Sequence, residues 1–185
     1  MRSGVLVVLS VAAVATFVVN NYGLGPLWAG WQNIELPFRI ARLMAEPPDR
    51  NLTMPVAGVS VRRVADTWHA RRGRARRHEG QDIFAPRGTP VVAAASGVIV
   101  HVGENRLGGH TVSVLGAGGR TYYYAHLDRY VAADHIGADV GRGTVIGYVG
   151  NTGNARTTPP HLHFGVYTAS GPIDPLPLLA AKASG

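Results

Sequence analysis

The sequence predicts an all-β domain, a compact antiparallel sandwich or partly closed barrel, preceded by an amino-terminal membrane helix and a short helical connector. Three observations lead there. The 24 glycines and 12 prolines among 185 residues mark many turns, as a fold of short strands requires. Short β-branched runs succeed one another from residue 55 onward. Over the same stretch no long 3.6-residue periodicity appears.

The elements follow in order. Met1-Arg2-Ser3-Gly4 is a short basic start, and Val5 to Val19 is an apolar run without charge. That run alone is short for a span of ~20 residues. No charge follows until Glu35, however, and Trp28 and Trp31 are placed as interfacial anchors. The A-x-A triplet Ala13-Val14-Ala15 lies inside the run, where a signal cleavage site does not belong. The expectation is an uncleaved anchor over residues 1–28, with a cleaved signal as the alternative, and an exported domain in the periplasm or extracytoplasmic space. Residues 29–54 read as a connector in which Pro37 to Met44 forms two turns of amphipathic helix, ended by Glu46-Pro47-Pro48-Asp49. Residues 55–178 form the β domain and 179–185 a tail. Strands are expected at Val91–Ala95, Gly97–Val102, Val145–Val149 and His161–Tyr167, with a hairpin of Thr111–Leu115 and Thr121–Ala125 around Gly116-Ala117-Gly118-Gly119.

Composition narrows the function. A formal charge of +7 suits anionic surroundings, but no nucleic-acid module is visible and none is expected as a partner. The absence of cysteine removes disulfides, thiolate catalysis and cysteine zinc sites. An echo between Gly88-Thr89-Pro90-Val91 and Gly143-Thr144-Val145-Ile146 resembles lipoyl carriers, yet the lone lysine is Lys182 in the tail. Five arginines between Arg71 and Arg77 read first as a solvated loop, and otherwise as a contact for an anionic polymer.

The chemistry lies in the histidines. In His161-Leu162-His163-Phe164, strand alternation puts two imidazoles on one face and two apolar side chains on the other. His78-Glu79-Gly80-Gln81-Asp82 adds a histidine and a carboxylate, too far apart on a straight strand (~13 Å) to share an ion. A bent loop entering a strand can bring them together. Tyr124-Ala125-His126 is the third group. The three supply His, Asp and His for a metal, with two histidines to spare. Nitrogen and oxygen donors suit zinc, and three protein ligands leave a position for water, whose pKa falls toward ~7 there.

With H-x-x-x-D, Y-x-H and H-x-H in this order, the chain resembles the lysostaphin/LytM-type zinc metallopeptidases, peptidoglycan endopeptidases, over residues 55–178. The resemblance implies Zn2+ on His78, Asp82 and His163, with His126 and His161 lining the site and assisting the reaction. It implies an antiparallel β fold that hydrolyses peptide bonds in stem peptides or cross-links, and peptidoglycan and the membrane as partners. One departure is Thr158-Pro159-Pro160 before His161, where many members carry Gly-Pro. The alternatives are a catalytically silent wall-binding regulator of other hydrolases and an export-side metal buffer. His69, His101, His110 and His135 match no motif position and read as surface or packing residues. Glu79 imitates the start of H-E-x-x-H but lacks its helix and second histidine.

Overall fold

The computed structural model describes residues 35–72, 76–131 and 135–180. The expected membrane helix lies outside them, as does the end of the tail. No helix among the described residues is long and apolar enough to cross a membrane.

Helix α1, Glu35–Ala45, is the expected amphipathic segment, slightly extended at both ends. Its Ile40 is buried with Val100 and Leu115, and Leu36 packs against them. Arg39 pairs with Asp139 and donates to the Gly137 carbonyl at 3.1 Å. The helix stops at Glu46-Pro47-Pro48, because a residue before proline leaves the helical region.

The next segment lies against the domain. Leu52 and Val56 are buried in the main core. The amides of Leu52 and Thr53 donate to the carbonyls of Leu178 and Ala94, each at 2.9 Å. Arg142 donates to Asp49 Oδ1 at 2.6 Å and to the Asn51 carbonyl at 3.0 Å.

Two strands, β1 (Arg71–Arg72) and β2 (Arg76–Arg77), make a small separate hairpin from the arginine-rich run. The main sheet has nine strands among the described residues. They are β3 (Gln81–Phe84), β4 (Pro90–Val92), β5 (Gly97–Asn105), β6 (Gly109–Gly116), β7 (Thr121–Tyr130), β8 (Asp139–Val140), β9 (Val145–Val149), β10 (His161–Thr168) and β11 (Gly171–Ile173). Every pairing among them is antiparallel. A short helix, α2 (Leu176–Ala180), follows.

The expected all-β antiparallel class is present, but the sheet is open and branched instead of closing into a barrel. The physical reason lies in β7. One edge pairs with β6 over residues 121–127. The other edge pairs with β10 over residues 121–125 and with β9 over 127–130. The sheet forks between these pairings, at His126. One branch carries β10 with β3 and β11. The other carries β9 with β4.

Between the branches, side chains from alternate positions fill the core. Tyr122, Tyr124, Leu162, Phe164 and Val166 are fully buried, as strand alternation demands. Burying one such aromatic side chain is worth about 1.5–3 kcal/mol. The buried Tyr124 hydroxyl accepts the Ala94 amide at 2.8 Å, which satisfies its polar end.

Candidate metal centre and cleft

β10 presents its histidines by alternation. Leu162 and Phe164 point into the core, while His161 and His163 face the other way, into a cleft of about 700 Å³. β3 runs antiparallel beside it with His163 opposite Asp82, which brings the carboxylate to the imidazole. His78 precedes β3 and reaches the same point because the chain bends at Gly80. A Cβ on residue 80 would lie 2.6 Å from the Phe164 carbonyl oxygen and 2.8 Å from His163 Cε1. Only glycine lets the loop close on β10.

Three donor atoms converge. His78 Nε2 lies 2.8 Å from His163 Nδ1 and 3.0 Å from Asp82 Oδ1, and His163 Nδ1 lies 3.2 Å from Asp82 Oδ1. Tetrahedral zinc with bonds of about 2.0–2.2 Å holds neighbouring ligand atoms about 3.3–3.6 Å apart, only slightly wider than this triangle. The chemistry of the set fits as well. His78 Nδ1 is 2.8 Å from the Thr67 carbonyl, which can only accept, so the proton is on Nδ1 and the Nε2 lone pair points inward. The carboxylate adds another lone pair. One proton on His163 Nδ1 cannot satisfy both well, and a divalent cation can.

Asp82 is prepared for such a role. Burial opposes its ionisation, but the neighbouring imidazoles of His163 and His78 prevail and hold the carboxyl well below the usual range. Its second oxygen pairs with Arg72 of the β1–β2 hairpin.

His126 arrives differently. Tyr122 and Tyr124 face the core, and strict alternation would send His126 after them. Its φ of 63° places it in the left-handed region, rare for a residue with a Cβ. That conformation costs about 1–2 kcal/mol. It turns the ring into the cleft, with ring centroids 5.0 Å from His161 and 6.0 Å from His163. The His126 amide donates to the Gly108 carbonyl at 2.7 Å and its Nδ1–H to the Thr152 carbonyl at 3.0 Å, which hold the turn. His161 Nδ1–H donates to the Pro159 carbonyl at 2.9 Å, so the unusual Thr-Pro-Pro loop orients this ring. Both rings therefore turn Nε2 toward the cleft. Burial, then the imidazoles of His161 and His163, push His126 down to about 4, so it is neutral at physiological pH.

The structure thus brings His78, Asp82, His126, His161 and His163 into one cleft. Glu79 lines the same cleft but is exposed and lies outside the triangle. Neither His69, His101, His110 nor His135 lines it. Three residues were missed by sequence reasoning: Thr67, Gln81 and the cleft-lining Tyr167. Gln81 carried a signal. It alternates with the cleft-facing Asp82, so it faces inward, and an inward amide must have partners.

Residues 76–175, more than half of the chain, match peptidase family M23. The chain belongs to that family. Among curated M23 relatives, the L-Ala–D-Glu endopeptidase of Bacillus subtilis (strain 168) is 39% identical over 126 residues, covering 62% of this chain and 39% of that protein. This chain therefore spans about two fifths of that relative's length. The catalytic domain of the antimicrobial peptidase lysostaphin from Staphylococcus simulans superposes with a TM-score of 0.58 at 30% identity, covering 65% of this chain and 96% of that domain. A zinc-containing peptidase from Vibrio cholerae gives a TM-score of 0.61 at 28% identity, covering 73% of this chain and 41% of the other.

Proposed function

We propose that this M23 domain is a zinc-dependent endopeptidase that hydrolyses peptide bonds in peptidoglycan stem peptides or cross-links. The observation that carries this reading is the triangle of His78 Nε2, Asp82 Oδ1 and His163 Nδ1 beside two further imidazoles that turn Nε2 into the same cleft.

His78, Asp82 and His163 would hold the zinc. When bound, it supplies a Lewis acid that polarises the peptide carbonyl and acidifies a water. The protein residues do the rest. Neutral His126 offers an Nε2 lone pair that can take a proton from the attacking water. His161, beside it, faces the same reacting group. Either ring, once protonated at Nε2, can hydrogen-bond the oxyanion developing on the substrate or return the proton to the leaving amine. The carbonyls of Thr152 and Pro159 keep both rings oriented throughout.

The lysostaphin-like fold and the named activities of the relatives support a peptidoglycan substrate. Arg72 and Arg77 also line the cleft, where they suit the carboxylates of an acidic wall polymer. For location, we propose that residues 1–28 anchor the chain in the membrane and that 29–54 connect the anchor to a peptidase domain outside the cytoplasm. The apolar run from Val5 to Val19 supports that placement.

Purified peptidoglycan, digested with the full chain with and without a chelator, tests the function by mass spectrometry of the fragments. New amino termini that require zinc and vanish with His163→Ala are expected. Wall binding without cleavage would instead identify a silent regulator, and zinc exchange without either would identify a metal buffer.

A further inference from the structure

We propose that Thr67, itself fixed by Gln81, is a positioning residue for the metal centre, setting the tautomer of His78 and the backbone beneath Asp82. The proposal rests on the reading of His78, Asp82 and His163 as ligands.

Thr67 lies outside the matched region of 76–175. It nevertheless touches both ligands that open that region. Its carbonyl accepts His78 Nδ1–H at 2.8 Å. Its Oγ1 accepts the backbone N–H of Asp82 at 3.0 Å. A ligating histidine needs its second nitrogen occupied to fix tautomer and ring plane, and Thr67 supplies that acceptor.

Gln81 explains why Thr67 stays in place. Its side chain is fully buried. Its Oε1 accepts the Thr67 amide at 2.9 Å and the Thr67 hydroxyl at 3.1 Å. Its amide nitrogen donates to Asp66 Oδ1 at 3.0 Å and to Asp174 Oδ1 at 3.1 Å. The amide has only one workable orientation. Flipped, its oxygen would face two carboxylates and its NH2 would face the Thr67 N–H. The Thr67 hydroxyl is equally committed, donating to Gln81 and accepting from Asp82. Its one proton and an accepting lone pair are both engaged, so an isosteric valine, which has neither, cannot replace it. Buried networks with every member satisfied hold one geometry, and loss of a member exposes the full desolvation cost of its partner.

The test uses the full chain and reads zinc affinity by competition with a chromophoric chelator, together with the visible spectrum of the Co2+-substituted protein. Thr67→Val removes the hydroxyl at constant shape, and Thr67→Ser restores it. Outer-shell partners typically contribute 10- to 100-fold in metal affinity, so Thr67→Val should bind zinc ~10- to 100-fold more weakly while Thr67→Ser stays within ~3-fold of wild type. Gln81→Leu should weaken zinc in the same direction. The Co2+ spectrum should shift in Thr67→Val and not in Thr67→Ser. Wild-type affinity in Thr67→Val, or equal weakening in Thr67→Ser, overturns the proposal, and wild-type affinity in Gln81→Leu removes Gln81 from it. Unchanged zinc in His163→Ala would instead overturn the ligand reading beneath it. Should Thr67→Val not fold, nitrogen NMR of the zinc-free wild-type protein decides. His78 protonated at Nδ1 is expected, and the Nε2–H tautomer overturns the proposal.

Discussion

His161 and His163 reach the cleft by obeying the strand, whereas His78 and His126 reach it by breaking from regular structure. On β10, period-two alternation alone aims both rings, with Leu162 and Phe164 anchoring the opposite face in the core. His78 needs the bend at Gly80. His126 needs a left-handed backbone at the point where β7 exchanges β10 for β9. The contrast shows where the site is cheap and where it is strained. The regular pair costs nothing beyond the sheet itself. The irregular pair depends on a glycine and on hydrogen bonds to the carbonyls of Thr67, Gly108 and Thr152.

The largest effect is expected on the regular strand. His163→Ala should abolish tight zinc binding and reduce cleavage to background, because it removes one corner of the triangle. Elemental analysis of the purified variant checks this. Stoichiometric zinc in it would show that β10 does not supply the ligand.

One member of each pair, His161 and His126, lies outside the proposed ligand set, so the two can be compared directly. His126→Ala and His161→Ala should each lose at least ~100-fold in turnover with zinc retained, the range for a general base or a single oxyanion donor. Acting on one transition state, they should be non-additive, and the double variant should fall well short of the product of the single losses. Rates on a defined muropeptide, with zinc content measured for each variant, provide the check. Near-wild-type rates in both would remove them from the reaction.

That contrast also explains what was legible in the sequence. The helix within 35–45 and strands β5 to β7, β9 and β10 follow from periodicity and turn residues, whereas the grouping of His78, Asp82 and His163 was implied by the family resemblance. The H-x-x-x-D spacing already demanded a bend. The open fork of the sheet was not legible, because it depends on which neighbour each half of β7 takes, a long-range choice that leaves no local pattern. The direction of His126 was hidden too, since Tyr-Ala-His on a regular strand would put Tyr124 and His126 on one face. Thr67 carried no signal at all, because its role exists only through contacts across eleven or more positions.

The bend can be broken next. Gly80→Ala places a methyl against the Phe164 carbonyl and the His163 ring. Overpacking of this kind costs about 1–3 kcal/mol. The variant should melt several degrees lower and bind zinc more weakly, because the shift falls on His163. Calorimetry and chelator competition measure both. An alanine variant with unchanged melting temperature and zinc affinity would mean that the loop does not need its close approach.

A smaller effect is expected from pH. His126 is held at about 4, against ~6.5 for an unperturbed histidine. Between those values the unfolded chain binds a proton that the folded chain refuses. Stability of the zinc-free protein from this group is therefore full above ~6.5, falls as pH drops toward about 4, and changes no further below. His126→Gln should flatten the melting curve across that window relative to wild type. Parallel curves would show that the strained ring is not shielded from water.

The smallest effect belongs to Glu79, which sits between His78 and Asp82, the two residues that the bend brings together, and yet takes no part in the triangle. Its side chain is exposed, while His78 and Asp82 on either side are buried. A carboxylate in contact with water is poorly placed to act as a base on a buried substrate bond. Its visible influence is on Tyr167, which is pushed up to about 12 by burial and then by the Glu79 charge. Glu79→Gln should thus keep its zinc, hold turnover within ~3-fold of wild type, far inside the range for a lost general base, and lower the Tyr167 titration modestly. Ultraviolet titration of the phenols and muropeptide cleavage measure the two outcomes. A variant that is zinc-loaded but inactive would move the proton-transfer role from the imidazoles to the loop, and the division between regular and irregular histidines would no longer describe the catalytic machinery.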